Sequence, residues 1–192
     1  MLAAATTAGR PMHTENTVVM RGPVDRIVRL AADIEAWPRI LPHYRWVTLL
    51  SGGGDRKVVE MAARRGAWPV KWRAVQTIDR SGAVPEIRYH HIWGPTEGME
   101  VGWVFDPTPE GVRVRIWHEL DLRWPLVGST PLGGLIADKV IGPEFVGHIA
   151  GLTLRTIKEI VERETGTTGA TDAAGTAPAP VEAAVVPRET DR

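Results

Sequence analysis

The longest regular pattern of apolar positions lies near the end of the chain, over residues 142–164. Apolar side chains recur there every three or four residues, which is the spacing of one face of an α-helix. Pro143 suits the first turn of such a helix, because its missing N–H leaves no hydrogen bond unmade there. The stripe comprises Phe145, Val146, Ile149, Leu152, Thr153, Ile157, Ile160 and Val161. We therefore predict one long helix, about 33 Å from end to end at the usual rise per residue.

Between residues 44 and 124 the apolar positions recur every second residue, and Gly or Pro turn signals separate the runs. Six strands are predicted, over residues 44–51, 56–65, 68–80, 85–93, 98–107 and 112–124. A first strand, over residues 13–20, precedes them. The short links between successive strands predict an antiparallel sheet of seven strands.

Two further segments complete the predicted folded part. Pro23 begins a helix that ends before Trp37, because a residue in front of a proline, here Pro38, is disfavoured in the helical conformation. Residues 126–140 are interrupted by Gly and Pro, which predicts a loop with a short helix that leads into the long one.

Polar side chains lie on the inner faces of three predicted strands. Gln76 and His118 each lie on an otherwise apolar face, and His91 shares a face with Ile87, Tyr89 and Trp93, which leaves His90 outside. A buried polar group without a partner costs about 1–3 kcal/mol. Taken singly, each is expected to be a core residue bonded to a neighbour. Three on one face of a single sheet favour a partly polar cavity instead.

Composition narrows the classes of function. The formal net charge is zero, which gives no electrostatic reason to expect nucleic acid or an anionic membrane as a partner. Cysteine is absent, so disulfides and thiolate chemistry are excluded. We expect no membrane span and no secretory signal, because no apolar run is long enough, and hence a cytoplasmic protein. Eight tryptophans against two Phe and two Tyr are unusual, and Trp suits cavity walls as well as cores.

The same composition sets the domain limits. Residues 1–12 and 165–192 are rich in Ala, Thr, Gly and Pro and are predicted to be disordered, which leaves one domain over residues 13–164. Phosphate-binding loops, dinucleotide-binding glycine motifs and zinc-protease motifs are absent from the sequence, and we expect no cofactor. His90 and His91 point to opposite faces of a strand, so we expect no metal site there.

The order of strand, helix, short helix, six strands and long helix resembles the START-like, or helix-grip, superfamily. That superfamily includes the polyketide cyclase/dehydrase family and the coenzyme Q-binding proteins. The segment DIEAWPRILPHY, residues 33–44, is similar to one in actinobacterial aromatic-polyketide aromatase/cyclases. The resemblance implies an α+β helix-grip fold, in which a seven-stranded antiparallel sheet curls around the long C-terminal helix and encloses a cavity for a hydrophobic ligand.

The resemblance also implies which residues line that cavity, and their chemistry suggests roles. His118 and His91 are the candidate acid/base groups, since histidine exchanges protons near neutral pH, and Tyr44 is a candidate donor to a substrate carbonyl. The other candidates are predicted to bind the substrate: Trp37, Trp72, Gln76, Met99 and Trp103.

The predicted function is to bind a small aromatic or polyketide-like ligand and to promote its cyclisation or dehydration, with an acyl carrier protein as a candidate for delivery. The alternative is a carrier without catalysis, for a lipid, quinone or pigment precursor. One departure bears on this choice. The aromatase/cyclases usually have serine and arginine on the fourth strand, where this chain has Ala74 and Gln76.

Overall fold

The computed structural model describes residues 12–65, 68–120 and 143–174. The strands and helices follow one another along the chain as β1 (Met12–Met20), α1 (Val24–Ala32), a 3₁₀ turn (Ile34–Ala36), α2 (Trp37–Ile40), β2 (Tyr44–Gly53), β3 (Arg56–Arg65), β4 (Trp68–Asp79), β5 (Glu86–Trp93), β6 (Glu100–Thr108), β7 (Gly111–Leu120) and α3 (Pro143–Ala174).

The strands form one antiparallel sheet in the order β1-β7-β6-β5-β4-β3-β2. Helix α3 packs against the inner face of this sheet and contacts β1, β7 and β3. Because β1 and β3 lie near opposite ends of the strand order, the sheet must curl around the helix to reach it from both sides. This is the predicted α+β architecture, with a seven-stranded antiparallel sheet around a long C-terminal helix.

The alternation of buried and exposed positions decides which side chains point to the helix. On β4 the buried side chains include Val70, Trp72, Ala74, Gln76 and Ile78, and the alternate residues Lys71 and Arg73 are exposed. On β7 the buried ones are Val112, Val114, Ile116, His118 and Leu120. The predicted inner faces of these two strands are therefore confirmed over their described residues.

Trp93 contradicts the predicted inner face of β5. The pairing of β4 with β5 slips by one residue, since Ala74 faces His91 but Arg73 faces Trp93. The extra residue is Ile92, and a bulge of this kind turns the side chain that follows to the other face of the sheet. Trp93 is consequently 43% exposed. The Nζ atom of Lys71 lies 5.2 Å from the centroid of the Trp93 ring, and the Cζ atom of Arg73 lies 5.1 Å from it.

Trp37 also differs from the prediction. It is helical, with φ −53° and ψ −41°, although Pro38 follows it. Its ring is buried, and its Nε1–H donates a hydrogen bond to the carbonyl oxygen of Leu30 at 3.1 Å. Burial of a large indole and this bond together outweigh the local preference against a helical residue before proline.

The long helix extends further than its apolar stripe predicts. It continues past Glu164 to Ala174, because residues 165–174 contain glycine but no proline that would force an end. Ala150 and Leu154 join the buried face, whereas Leu152 and Ile160 are only half-buried. The predicted loop over residues 126–140, the end of β7 beyond Leu120 and the chain termini at 1–11 and 175–192 lie outside the described residues.

Candidate functional site

A cavity lies between α3 and the inner face of the sheet. Its volume is about 70 Å³, counted as the space that the centre of a water molecule can reach, whereas all empty space between its walls, including solvent at the mouth, amounts to about 620 Å³. The smaller value decides what fits without movement. It holds about five water molecules and lies below the range of roughly 300–1,000 Å³ that is common for small-molecule sites.

Seven of the eight predicted site residues line this cavity. They come from α2, from five strands and from the turn between β5 and β6: Trp37, Tyr44, Trp72, His91, Met99, Trp103 and His118. Residues that are distant in sequence thus meet because the inner faces of successive strands point to one helix. Phe145, Val146, Ile149, Ala150 and Thr153 of α3 close the opposite side.

The aromatic rings of the wall form a connected group around Trp37. Its ring centroid lies 4.9 Å from that of Tyr44, in an edge-on arrangement, and 6.0 Å from that of Trp103. Tyr44 continues the group to Trp72, at 6.3 Å. These distances are typical of aromatic pairs, which stabilise the wall beyond the burial of their surface. The wall therefore offers flat apolar surfaces to a planar ligand.

His91 is held at the cavity wall by Thr96. The Nδ1 atom of His91 lies 2.6 Å from Oγ1 of Thr96, and both side chains are buried. Burial, more than the neighbouring His118 and His90, lowers the pKa of His91 from 6.5 to about 3. The imidazole is therefore neutral near pH 7. Among the described residues its Nε2 atom has no hydrogen-bond partner, so that nitrogen can serve a ligand.

His118 has a similar arrangement on β7. Its Nδ1 atom lies 3.3 Å from Oγ1 of Thr14, which faces it across the β1–β7 pairing. Burial, and to a smaller extent His13, lowers the pKa of His118 from 6.5 to about 4. Again Nε2 has no partner within residues 12–65, 68–120 and 143–174. Each imidazole thus has one nitrogen fixed by a threonine and one left for the cavity.

Gln76, the eighth predicted residue, lies behind the wall. Its Nε2 donates to the carbonyl oxygen of Ala32 at 3.0 Å and to the hydroxyl of Tyr89 at 2.8 Å. Tyr89 itself lines the cavity, and burial raises its pKa. Among the described residues, Tyr89 is the hydrogen-bond partner that connects Gln76 to the cavity wall.

The structure adds buried polar groups that the sequence did not single out for a site. Thr96 lies in the turn between β5 and β6, and His43 immediately precedes β2, so neither belongs to a periodic pattern. Thr153 is part of the predicted helical stripe, yet nothing in that stripe distinguishes a hydroxyl that bonds from one that only packs. Its Oγ1 lies 2.8 Å from Nε2 of His43.

Within the described part of the chain, the wall contains an unsatisfied donor. The Nε1–H of Trp72 is buried and has no hydrogen-bond partner among the residues that the structure describes. Buried donors without partners are rare, because each one costs the free energy of its lost hydration. This donor is consistent with a ligand that brings an acceptor atom, such as a carbonyl oxygen, to the cavity.

Two classes of feature are absent from the part of the chain that the structure describes. No helix there combines the length and apolar character of a membrane span. Likewise, no three His, Asp or Glu side chains lie close enough together there to hold a metal ion.

Comparison with known proteins identifies the family. The family described as "Polyketide cyclase / dehydrase and lipid transport" matches residues 20–142. The chain is 32% identical over 108 residues to a putative polyketide cyclase of Streptomyces halstedii, a match that covers 54% of this chain and 95% of that protein.

Solved structures show the same fold. The aromatase/cyclase Zhui from Streptomyces sp. R1128 superposes with a TM-score of 0.68 at 19% identity, over 88% of this chain and 100% of that one. A START superfamily protein from Mycobacterium smegmatis gives a TM-score of 0.58 at 13% identity, over 79% of this chain and 97% of that one. By its sequence match and its helix-grip fold, the chain belongs to the polyketide cyclase/dehydrase and lipid transport family.

Proposed function

We propose that this protein binds a hydrophobic, polyketide-like ligand in its cavity and promotes the cyclisation and dehydration of that ligand. The observation that carries the proposal is the pair of neutral imidazoles, His91 and His118, in an otherwise aromatic and aliphatic wall. Each imidazole is held by a threonine through Nδ1 and has Nε2 without a described partner. When the ring hydrogen is on Nδ1 and is donated to the threonine, the neutral imidazole can accept a proton at Nε2.

The proposed reaction needs no oxidant or reductant. The Nε2 atom of His118 or His91 takes a proton from a CH₂ group between two carbonyls, and the resulting enolate carbon forms a bond to a second carbonyl carbon of the same chain. The oxygen of that carbonyl takes this proton back from the imidazolium and becomes a hydroxyl, which leaves the imidazole neutral again. Loss of this hydroxyl and a neighbouring proton as water leaves a carbon–carbon double bond. Proton transfer by a positioned side chain typically accelerates such steps about 10²–10⁴-fold.

The other wall residues would orient the ligand. Tyr44 would donate to a carbonyl oxygen, as would the unsatisfied Nε1–H of Trp72. Trp37, Met99 and Trp103 would hold a flexible chain in a compact conformation, which lowers the entropic cost of ring closure. The predicted contribution of Gln76 to substrate binding would act through Tyr89.

The size of the cavity sets a condition on this function. A volume of about 70 Å³ does not admit a ligand of several fused rings unless the walls move apart. We therefore expect binding to be accompanied by movement of α3 relative to the sheet. Delivery of the ligand by an acyl carrier protein stays a prediction.

A carrier without catalysis is the second candidate. A general base works best when its pKa lies near the working pH, and burial lowers the pKa of His91 to about 3 and that of His118 to about 4. A carrier needs no proton transfer, so these low values suit it without further explanation.

An experiment with histidine variants separates the two candidates. The substrate is a poly-β-ketone made in the same reaction by an aromatic polyketide synthase, and cyclised products are measured by liquid chromatography and mass spectrometry. A catalyst should lose turnover about 10²–10⁴-fold in His118→Gln or His91→Gln, with ligand affinity changed much less. The matched control is His90→Gln, because His90 is exposed on the outer face of the same strand as His91. Wild-type protein that binds the ligand without changing the products would instead support the carrier.

A further inference from the structure

Two large apolar side chains at the end of β5, Ile92 and Trp93, are exposed. The bulge at Ile92 places the indole of Trp93 on the outer face of the sheet, although the alternation of the strand would place it inside. An exposed indole forgoes the free energy that its burial would contribute. Bulges that redirect a side chain are common beside functional sites. This part of the outer face is therefore a candidate binding surface.

The pairing of the strands shows which side chains lie beside Trp93. One row across the outer face contains Arg73 and Trp93. The next row contains Trp46, Ala62 and Lys71. Ala62 is buried although it lies on the outer face, so neighbouring side chains cover it, whereas Trp46 is half-buried and Lys71 is exposed. The outer patch is defined here as Trp46, Lys71, Arg73, Ile92 and Trp93.

The outer patch carries positive charge. The Nζ atom of Lys71 and the Cζ atom of Arg73 lie 5.2 and 5.1 Å from the ring centroid of Trp93. Glu60, which faces Arg73 across the β3–β4 pairing, accepts a hydrogen bond from its Nε at 2.8 Å and lies 3.9 Å from Nζ of Lys71. Arg64 adds a third exposed cation in the next row of the same face. Among the described residues at this end of β3 and β4, three cations thus stand against one carboxylate on the outer face.

The chemistry of the outer patch fits a protein with an acidic surface. Trp and Arg are enriched at the centres of protein interfaces, and cations on one partner are commonly met by carboxylates on the other. A second copy of this chain would bring the same cations against one another, which opposes a symmetric dimer here. A bilayer is entered by apolar side chains, whereas the ring of Trp93 lies against two cationic side chains of its own sheet. The contacts therefore favour an acidic protein.

The outer patch lies on the reverse side of the cavity wall. Trp72 and His91 line the cavity from the inner face, and Lys71 and Trp93 belong to the same stretches of β4 and β5 on the outer face. Thr96, in the turn that follows Trp93, lines the cavity as well. The cavity thus reaches the end of the sheet beside the outer patch. A ligand on a flexible arm of a docked protein would pass around this turn to reach the cavity.

We propose that the outer patch is the docking surface for an acyl carrier protein, an acidic protein that holds its ligand on a flexible arm. Trp93 is the apolar anchor of this surface, and Lys71 and Arg73 pair with carboxylates of the carrier. Glu60 opposes this pairing, because its carboxylate occupies the same two cations. The proposal rests on the proposed function only in taking the carrier as the source of the ligand, and it adds where the carrier binds.

The test measures binding of an acyl carrier protein from an aromatic polyketide synthase by isothermal titration calorimetry. The carrier is used in its apo form, which has no phosphopantetheine arm, so that nothing enters the cavity and the measurement reports docking alone. Trp93→Ala should weaken binding at least about tenfold, as expected for an anchor residue. Arg73→Gln should weaken it by up to about fivefold, the scale of an exposed ion pair.

Glu60→Gln should change the affinity in the opposite direction. Without this carboxylate, Lys71 and Arg73 are released for the carrier, and binding should become stronger by a factor similar to the loss in Arg73→Gln. A role of Glu60 limited to stability would not strengthen binding. Added NaCl should weaken the binding of the wild type, because ion pairs at an exposed surface are screened.

The matched control is Arg88→Gln. Arg88 lies over Trp117 on the outer face, with its Cζ atom 5.5 Å from the ring centroid, much as Arg73 lies over Trp93, but it is outside the outer patch. This variant should leave the affinity for the carrier unchanged. Thermal unfolding checks the folding of each variant, and the substitutions at the exposed residues Arg73 and Arg88 keep the comparison valid even if Trp93→Ala does not fold.

The docking surface is disproved if the wild type does not bind the carrier, or if the three patch variants bind it no differently from Arg88→Gln. Sedimentation of the protein alone and with vesicles that contain anionic lipid tests the other occupants. A dimer or a vesicle complex that is lost in Trp93→Ala would assign the outer patch to a second copy or to a membrane and overturn the proposal.

The docking surface and the proposed function can fail separately. Docking of the carrier without cyclised products refutes the proposed catalysis and leaves the surface in place. Cyclisation of a poly-β-ketone by a protein that does not bind the carrier refutes the surface alone.

Discussion

The indole of Trp72 stacks on the imidazole of His91, with ring centroids 5.8 Å apart and planes inclined by 23°. Both rings line the cavity, one from β4 and the other from β5. A ligand that reaches Nε2 of His91 must therefore also come close to Trp72. This relationship gives the proposed acid/base group a fluorescent neighbour that can report on binding.

Binding of a planar aromatic ligand is expected to quench tryptophan fluorescence, and Trp72→Phe should remove a large part of that response. The eight tryptophans all emit, so a control at a tryptophan outside the cavity is needed. Trp93→Phe serves this purpose, because Trp93 lies on the outer face under Lys71 and Arg73. A titration in which Trp93→Phe alters the quenching while Trp72→Phe and Trp103→Phe do not would mean that the ligand binds elsewhere.

Stability is expected to fall in acid because of the buried histidines. Burial lowers the pKa of His91 to about 3 and that of His118 to about 4, against 6.5 for an exposed histidine. Between about pH 6.5 and pH 4 the unfolded chain therefore binds protons that the folded chain excludes. The free energy of unfolding then decreases as the pH falls, by at most about 1.4 kcal/mol per pH unit for each histidine. Above about pH 6.5 these two groups contribute no pH dependence.

Urea unfolding at several pH values between 4 and 8 measures this dependence. His91→Gln and His118→Gln should each make the decrease with falling pH shallower, because each removes one of the buried groups that titrate. NMR titration of the two imidazoles offers an independent check, since protonation of either ring above pH 6 in the folded protein contradicts the expected burial effect.

Much of the fold and most of the candidate site could be predicted, because both depend on local periodicity. A strand that alternates every second residue shows its inner face in the sequence, so Trp72 and His118 could be assigned to the interior without coordinates. The helical stripe of α3 could be recognised in the same way. Once the sheet is known to curl around one helix, inner-face residues of successive strands necessarily share the cavity.

The remaining features depend on contacts between distant parts of the chain. The bulge at Ile92 is set by pairing with β4, and it turns Trp93 to the outer face of the sheet. The pairing of His43 with Thr153 joins residues 110 positions apart, and no periodic pattern marks either one as part of a site. Likewise, the pattern around Gln76 indicated burial but not the partner, Tyr89, that keeps its amide out of the cavity wall.

Close packing against a neighbouring side chain explains why residue 102 is a glycine. A Cβ atom at Gly102 would lie 2.2 Å from Cε2 of Trp117, because the ring of Trp117 covers the glycine on the outer face of the sheet. The guanidinium of Arg88 lies over this ring and helps to hold it there. Gly102→Ala should therefore lower the free energy of unfolding by about 1–3 kcal/mol, the usual cost of overpacking. Gly53→Ala is the control, since nothing lies within 4 Å of a Cβ there and its φ is not positive. Equal effects of the two substitutions in thermal unfolding would show that Trp117 moves aside freely.

The C-terminal limit of the domain gives the last prediction. Over residues 145–166, where the burial of α3 is described, the last buried residue is Val161. It is fully buried and packs against Gly22, where a Cβ would lie 2.3 Å from Cγ1 of the valine. Just beyond it, Glu162 accepts a hydrogen bond from the backbone N–H of Arg21 at 3.0 Å. Glu164 accepts two from Arg26, at 2.9 and 2.7 Å. These contacts connect the helix to the start of the chain and lie within residues 161–164.

A chain that ends at Gly166 should therefore unfold at nearly the same temperature as the whole protein, although α3 continues to Ala174. A chain that ends at Ile160 loses the burial of Val161, which contributes about 1.5–3 kcal/mol, and the bond from Arg21, which contributes about 0.5–1.5 kcal/mol. The exposed ion pair between Arg26 and Glu164 adds little, about 0–1 kcal/mol.

Together these contributions predict a decrease of the melting temperature by about 4–22 °C, at the usual 2–4 °C per kcal/mol for a chain of this size. Val161→Ala in the full-length protein should reproduce a large part of that loss, and Glu164→Gln should change the melting temperature by no more than a few degrees. If the chain that ends at Gly166 melts as early as the one that ends at Ile160, residues 167–174 are part of the stable domain and its limit lies beyond residue 164.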